Sequence, residues 1–209
     1  KNEQYLMDVS GAGKVLFKES AGSYLDCITD QDFITANASV LFYEYNGKTK
    51  AVKIFRVNAS KAIEQYQYND LYSMEYVPQL LIDKSGNYIF YTEGFSNGAE
   101  GGPGQAIVAQ LDTKAKAFKT KYKLDSNNYA LDKSKNLWVL DCATKDRTNI
   151  TFTISTVANG KKSVKYTLKY KNQDQELPIA WVNVRLKVVS DKEVYIQYPG
   201  SQKWTKVSK

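Results

Sequence analysis

Leu81-Ile82-Asp83-Lys84-Ser85-Gly86-Asn87-Tyr88-Ile89-Phe90-Tyr91 and Ala130-Leu131-Asp132-Lys133-Ser134-Lys135-Asn136-Leu137-Trp138-Val139-Leu140 are one phrase written twice, with its aspartate recurring after 49 residues (132 − 83). In each copy two apolar residues run into Asp-Lys-Ser, a polar turn follows, and four apolar or aromatic residues close it. Asp, Ser, Gly and Asn favour turns because their side chains bond nearby backbone or because they tolerate left-handed φ. The closing run is of the kind that fits a pleated, half-buried surface. The phrase therefore predicts strand–turn–strand, and its recurrence predicts a chain assembled from small sheets.

Fainter copies extend the pattern. Ile34 followed by Val40-Leu41-Phe42-Tyr43 echoes the phrase, and so does the run that opens at Val194. Aligning Val40, Tyr88, Leu137 and Val194 gives steps of 48, 49 and 57 residues. Leu25-Asp26-Cys27-Ile28-Thr29 against Leu140-Asp141-Cys142-Ala143-Thr144 is a second echo. Asn46-Gly47 and Asn159-Gly160 each separate two apolar runs, the strongest short signal for a hairpin turn. Near the N-terminus, Tyr5-Leu6-Met7 and Lys14-Val15-Leu16-Phe17 flank a turn at Ser10–Gly13, and Ser23–Cys27 reads as another strand. Residues 58–75 read as the one helix, capped by Asn58 or Ser60 and carried by Lys61-Ala62-Ile63-Glu64-Gln65. Residues 117–124 and 163–171 alternate strictly, apolar on one side and lysine-rich on the other, and are expected to be outermost strands, where lysine deters edge-to-edge pairing.

A period near fifty with three or four short strands per unit resembles β-propeller blades over residues 30–209, without the Gly-His and Trp-Asp marks of one propeller family or the Gly-Gly of another. The resemblance is to the fold and implies an all-β, propeller-like array of four or five small antiparallel sheets. The repeat units fall near 28–57, 76–124, 125–171 and 179–209, with strands in 4–27 completing a single domain of 1–209. An irregular β-sandwich or a curved open sheet, built from the same hairpins, is the alternative.

Composition limits the chemistry. The 209 residues contain no histidine, which removes Ser-His-Asp and Cys-His catalysis and His-ligated metals. Neither a metal-ligand spacing nor a cofactor motif is present, and none is expected. Gly11-Ala12-Gly13-Lys14 departs from a phosphate loop, with Asp8 and Val15 where that motif needs Gly and a hydroxyl. The net charge is +7, yet only Arg56, Arg147 and Arg185 among the 29 cations are arginine. Sites that grip phosphates favour the guanidinium fork, and the lysines are dispersed, so no specific nucleic-acid partner is expected. No apolar run reaches 18 residues, and the sequence opens at Lys1 like a mature chain, which makes a periplasmic or extracellular location the expectation.

Candidate site residues follow from loops and aromatic clusters. Residues 93–104 hold five glycines, Pro103, Glu93, Phe95 and Glu100, and irregular insertions on rigid scaffolds often bind. Trp181, Tyr198 and Trp204, beside Tyr195, form a candidate aromatic surface for a sugar or protein partner. Asp8, Asp83, Asp132 and Asp191 sit near equivalent turns, as a carboxylate ring or as caps of their own turns. Cys27 and Cys142 are a candidate disulfide. The expectation is an exported, non-enzymatic binding protein with a protein or glycan ligand and no transmembrane segment. A carbohydrate-active enzyme using two of Asp83, Glu93, Glu100 and Asp132, and a lysine-driven binder of an anionic surface, are the alternatives.

Overall fold

The computed structural model describes residues 5–8, 14–18, 23–28, 39–46, 52–68, 79–92, 96–97, 100–101, 104–144, 148–171, 184–198 and 200–207. These residues form strands, turns and short connections with no helix among them. The all-β class expected from the repeats is the one observed, as small sheets of two, three and four strands beside one larger sheet of eight that includes a parallel pair. The chain divides into two compact units, Lys1–Leu80 with Gln110–Thr120, and Leu81–Ala109 with Lys121–Lys209.

In the first unit, β1 (Tyr5–Asp8) pairs antiparallel with β2 (Lys14–Lys18). Strands β3 (Ser23–Cys27), β4 (Ser39–Asn46), β5 (Val52–Asn58) and β6 (Ile63–Gln67) form a meander, each antiparallel to the next. Strand β6 corrects the helix expected over 58–75. The Asn58 Oδ1 accepts the backbone N–H groups of Ser60 and Ala62, each at 3.1 Å, and Lys61 turns the chain at φ 64°. That turn aims residues 63–68 back along β5, where a period of two buries Tyr66 and Tyr68 and exposes Gln65 and Gln67. Two buried aromatic side chains, about 1.5–3 kcal/mol each, outweigh helix preferences worth tenths of a kcal/mol per residue. Residues 69–75 of the expected helix lie outside the described residues.

The remaining strands are β7 (Gln79–Ile82), β8 (Tyr88–Thr92), the two-residue pair β9 (Ser96–Asn97) and β10 (Glu100–Gly101), β11 (Gly104–Asp112) and β12 (Ala117–Ser126). They continue as β13 (Asn128–Leu131), β14 (Leu137–Thr144), β15 (Asn149–Ala158) and β16 (Lys161–Lys171), then β17 (Arg185–Ser190), β18 (Glu193–Gln197) and β19 (Trp204–Lys206). Strands β13–β14–β15–β16 and β17–β18–β19 are separate sheets in the up-and-down succession of a propeller blade, whereas β7–β8–β11–β12 are neighbours at one end of an eight-stranded sheet. The lysine-bearing β16 is an edge strand, as its alternation predicts. The other lysine strand is not outermost at its start: Ala117 of β12 pairs parallel with Gln67 of β6, and the Lys116 carbonyl accepts the Gln67 N–H at 3.1 Å.

Strand β14 shows why the second phrase ends in four consecutive apolar residues. Leu137 and Val139 face a cluster with Ile89, Tyr91, Val108, Leu124 and Tyr129. Trp138 and Leu140 face the opposite cluster, with Ile150, Phe152, Ile154, Leu186, Val188, Val194 and Ile196. A strand with a solvated face alternates, whereas a strand packed on both faces cannot. The β13–β16 sheet is thus the central layer of three within the second unit, with strands of the preceding phrase on one face and β17–β18 on the other.

Candidate functional site

The two phrases build two nearly superposable turns. The Asp83 Oδ1 accepts the N–H groups of Ser85 at 2.8 Å and Asn87 at 2.9 Å, and its Oδ2 accepts the Asn87 amide at 2.6 Å. Asp132 repeats this with the Asn136 N–H at 2.9 Å and the Asn136 amide at 2.8 Å. Backbone bonds Asp83 N–H to Asn87 O and Asp132 N–H to Asn136 O, both 3.1 Å, close each loop. Gly86 at φ 74° and Lys135 at φ 57° supply the same left-handed residue.

The turns are linked in series. The Lys84 N–H donates to the Lys135 carbonyl at 2.9 Å, and the Lys133 N–H donates to the Val189 carbonyl at 3.2 Å. Consecutive repeats thereby present their turns side by side along a polar cleft of about 840 Å³ within the second unit. Lys121 and Tyr122 of β12, Thr156 to Asn159 at the end of β15, Lys165 of β16 and Glu193 of β18 complete its walls.

Among the described residues, three of the four acids in the cleft are engaged by protein donors, the Asp191 carboxylate being the exception, and of its five lysines Lys121 makes a side-chain hydrogen bond. Burial alone would raise the Asp132 carboxyl, but bonds from the Asn136 side chain and N–H, the Trp138 indole and the Ser134 N–H hold it below its ordinary value. The Trp138 Nε1–H donates to Asp132 Oδ2 at 3.0 Å. A carboxylate held ionised in this way accepts hydrogen bonds and does not deliver a proton at neutral pH. Glu193 accepts the Tyr195 hydroxyl at 2.8 Å. Burial pushes the Tyr122 hydroxyl up, the Asp83 charge adds to this, and a backbone hydrogen bond from Gly160 opposes it. Lys121 donates to the Asn87 Oδ1 at 3.2 Å. Lys84, Lys133, Lys135 and Lys165 are all exposed, and among the described residues none of their ammonium groups meets a carboxylate.

Of the sequence candidates, the structure joins Asp83 and Asp132 in equivalent places, each capping its own turn. Asp191 lies in a different kind of turn, where the Lys192 N–H donates to the Ser190 hydroxyl at 3.3 Å. Among the described residues no group of three or more Cys, Asp or Glu is arranged to hold a metal ion. Glu93, Phe95 and Trp181 lie outside the described residues, as does the side chain of Glu100, whose backbone belongs to β10. Tyr198 and Trp204 do not share a surface. Tyr198 stacks on Tyr170 with centroids 4.7 Å apart and planes at 10°, packed against the core, whereas Trp204 is 42% exposed on the opposite face of its sheet. Cys27 and Cys142 do not form the candidate disulfide. Burial, with the Asp141 charge beside it, pushes the Cys142 thiol up to about 12.

Sequence reading missed the cleft lysines. Lys84, Lys133 and Lys135 stand inside the repeated phrase, where they read as turn filler. Tyr122 and Lys165 belong to strands whose alternation says which residues share a side but not what lies opposite.

No family model matches the chain, and no curated protein matches it. Five solved chains match. One is the X-ray structure of a protein provisionally assigned as a gluconolactonase, at 8% identity and a TM-score of 0.22, covering 91% of this chain and 96% of that one. By its name that protein is an enzyme, and nothing in the comparisons or the structure stands for the exported, non-enzymatic binding protein expected above; that expectation is corrected. At this similarity the match transfers no activity to the chain.

Proposed function

We propose that the cleft beside the paired turns is the working site of the second unit, and that it takes a small polyhydroxylated anion such as a sugar acid or sugar phosphate. By formal charge the cleft is nearly balanced, with five lysines (84, 121, 133, 135, 165) and four acids (Asp83, Asp132, Asp191, Glu193) among its lining residues. What carries the reading is engagement: Asp83, Asp132 and Glu193 already receive donors from the protein, which leaves the Asp191 carboxylate as the one acid unengaged among the described residues, against Lys84, Lys133, Lys135 and Lys165, which have no carboxylate partner among them. An anion entering the cleft satisfies those ammonium groups without displacing an existing ion pair, and strengthens as water leaves. Thr156, Ser134 and Asn159 add groups that bond hydroxyls. The blade-like stacking of the three sheets keeps the two turns in fixed register, which limits the ordering cost on binding.

Calorimetric titration with gluconate, glucose 6-phosphate and neutral glucose tests this. Either anion is expected to bind, glucose to bind at least tenfold more weakly, and the double variant Lys84→Glu, Lys135→Glu to abolish anion binding while its unfolding midpoint stays put. Equal binding of glucose, or no binding of either anion, refutes the assignment.

A further inference from the structure

The β17–β19 sheet packs one face into the core through Leu186, Val188, Val194 and Ile196, and turns the other outward, with Tyr195 half-buried and Gln197 buried at its centre. Its register sets two rows across that outer face. One row is Arg185–Gln197–Trp204, and the next is Lys187–Tyr195–Lys206. Arg185, Lys187, Trp204 and Lys206 are exposed, and the Lys187 ammonium lies 6.0 Å from the centre of the Tyr195 ring. Three cations thus surround two rings on adjacent strands and in adjacent rows, roughly 7–8 Å apart as diagonal neighbours. Lone exposed aromatic residues are common on protein surfaces, but two rings and three cations set around one buried glutamine on a sheet are not what solubility requires.

We infer that this face docks an acidic polysaccharide. Trp204 and Tyr195 offer apolar surfaces for the C–H faces of successive sugar rings, and Arg185, Lys187 and Lys206 meet carboxylates spaced along the chain. Glu193, in the row beyond Tyr195, decides between polyanions. One of its oxygens takes the Tyr195 hydroxyl, and the other can accept a sugar hydroxyl. A single-stranded nucleic acid presents a charge on every unit and meets repulsion there, and it is gripped best by guanidinium forks, of which this face holds one. An acidic polysaccharide interleaves its charges with hydroxyl-bearing rings, which suits a cationic face interrupted by one carboxylate. Arg185, Lys187, Trp204 and Lys206 do not line the cleft, whereas Glu193 borders both sites, so the tests below leave Glu193 unaltered.

Affinity electrophoresis of the full chain through gels holding hyaluronate, whose carboxylates fall on alternate sugars, neutral dextran or no polymer, with a fluorescent oligo-dT binding assay alongside, tests it. Hyaluronate is expected to retard the protein, and dextran is not. Trp204→Ala and the double variant Lys187→Ala, Lys206→Ala should each weaken that retardation at least tenfold. Trp204 and both lysines are solvent-exposed, so unchanged thermal midpoints are expected and separate lost docking from lost folding. The face variants should still bind gluconate, and the Lys84→Glu, Lys135→Glu variant should still be retarded, so the two sites fail independently. No retardation in hyaluronate, equal retardation of wild type and face variants, or tighter binding of oligo-dT than of hyaluronate overturns the inference.

Discussion

The turn at Asp83 and the turn at Asp132 share a hydrogen-bond plan, and of the seven positions at which their eleven-residue phrases differ, two bear on the turn. Gly86 in the first is Lys135 in the second, and Ile89 in the first is Trp138 in the second. The Ile89 side chain is simply buried, whereas the indole of Trp138 is 1% exposed and reaches back to the turn aspartate. One repeat is therefore a turn set on a core. The other is a turn fastened to the core through a side chain, with a cation held in the left-handed position that its sister gives to glycine. Duplicated sequence preserves the fold of the phrase, and these two of its seven departures mark where the second copy has taken on further structural and electrostatic duties.

Removing the fastening should have the largest effect. Asp132→Ala takes the acceptor from a buried indole N–H, about 1–3 kcal/mol, and from the turn amides, about 0.5–1.5 kcal/mol each for a typical bond. We expect a total loss of about 2–4 kcal/mol in urea unfolding. Trp138→Phe removes the donor together with its need, so Asp132→Ala should cost about 1–2 kcal/mol less in the Trp138→Phe background. Asp83→Ala with Ile89→Val should be additive, because no bond joins the two side chains. Additivity in both pairs would dissolve the distinction between the turns.

A comparison of intermediate size sets Gly86 against Gly160, which have nearly the same left-handed φ, 74° and 76°. A Cβ at Gly86 meets nothing within 4 Å, whereas one at Gly160 comes within 3.2 Å of Tyr122 Cγ in the cleft wall. Gly86→Ala should cost the left-handed penalty alone, about 1–2 kcal/mol. Gly160→Ala adds overpacking against the ring, for a total of about 2–3 kcal/mol. It should also disturb anion binding by moving Tyr122, which Gly86→Ala should not. Equal stability losses in the two variants would show that Tyr122 yields freely.

The parts of the fold that were legible in sequence were those set by neighbours in the chain. The phrase specifies strand–turn–strand because Asp, Ser and Asn supply the turn bonds and a β-rich run follows, and β7–β8 and β13–β14 bear this out. The region after Asn58 misled because Lys61-Ala62-Ile63-Glu64-Gln65 has good helix propensity, while its outcome was set by burial of Tyr66 and Tyr68. Even so, the period of two in Tyr66-Gln67-Tyr68 was there to be read. Tyr198 and Trp204 looked like one aromatic surface because they are near in sequence. Parity separates them, since Tyr198 falls in step with Val194 and Ile196, and Trp204 pairs across the strands with Gln197. The cleft was not legible. It depends on Lys84 meeting the Lys135 carbonyl and Lys133 meeting the Val189 carbonyl, contacts between repeats that no local pattern encodes.

The smallest expected effect bears most directly on why the second turn keeps its lysine. Replacing Lys135 by glycine relieves a left-handed side chain, about 1–2 kcal/mol, and returns about 0.4–1 kcal/mol of that through the freer unfolded chain. The net gain should be about 0.5–1 kcal/mol in the urea midpoint, with Gly86→Lys losing a similar amount. Left-handed lysine is not by itself a functional mark here: Lys61 and Lys116 also sit at positive φ, 64° and 48°, and neither lines the cleft. The discriminating measurement is therefore paired. Lys61→Gly and Lys135→Gly should stabilise alike, but only Lys135→Gly should weaken gluconate binding. A stabilised Lys135→Gly protein that binds gluconate as tightly as the parent would reduce this lysine to turn geometry and leave Lys84, Lys133 and Lys165 to hold the anion.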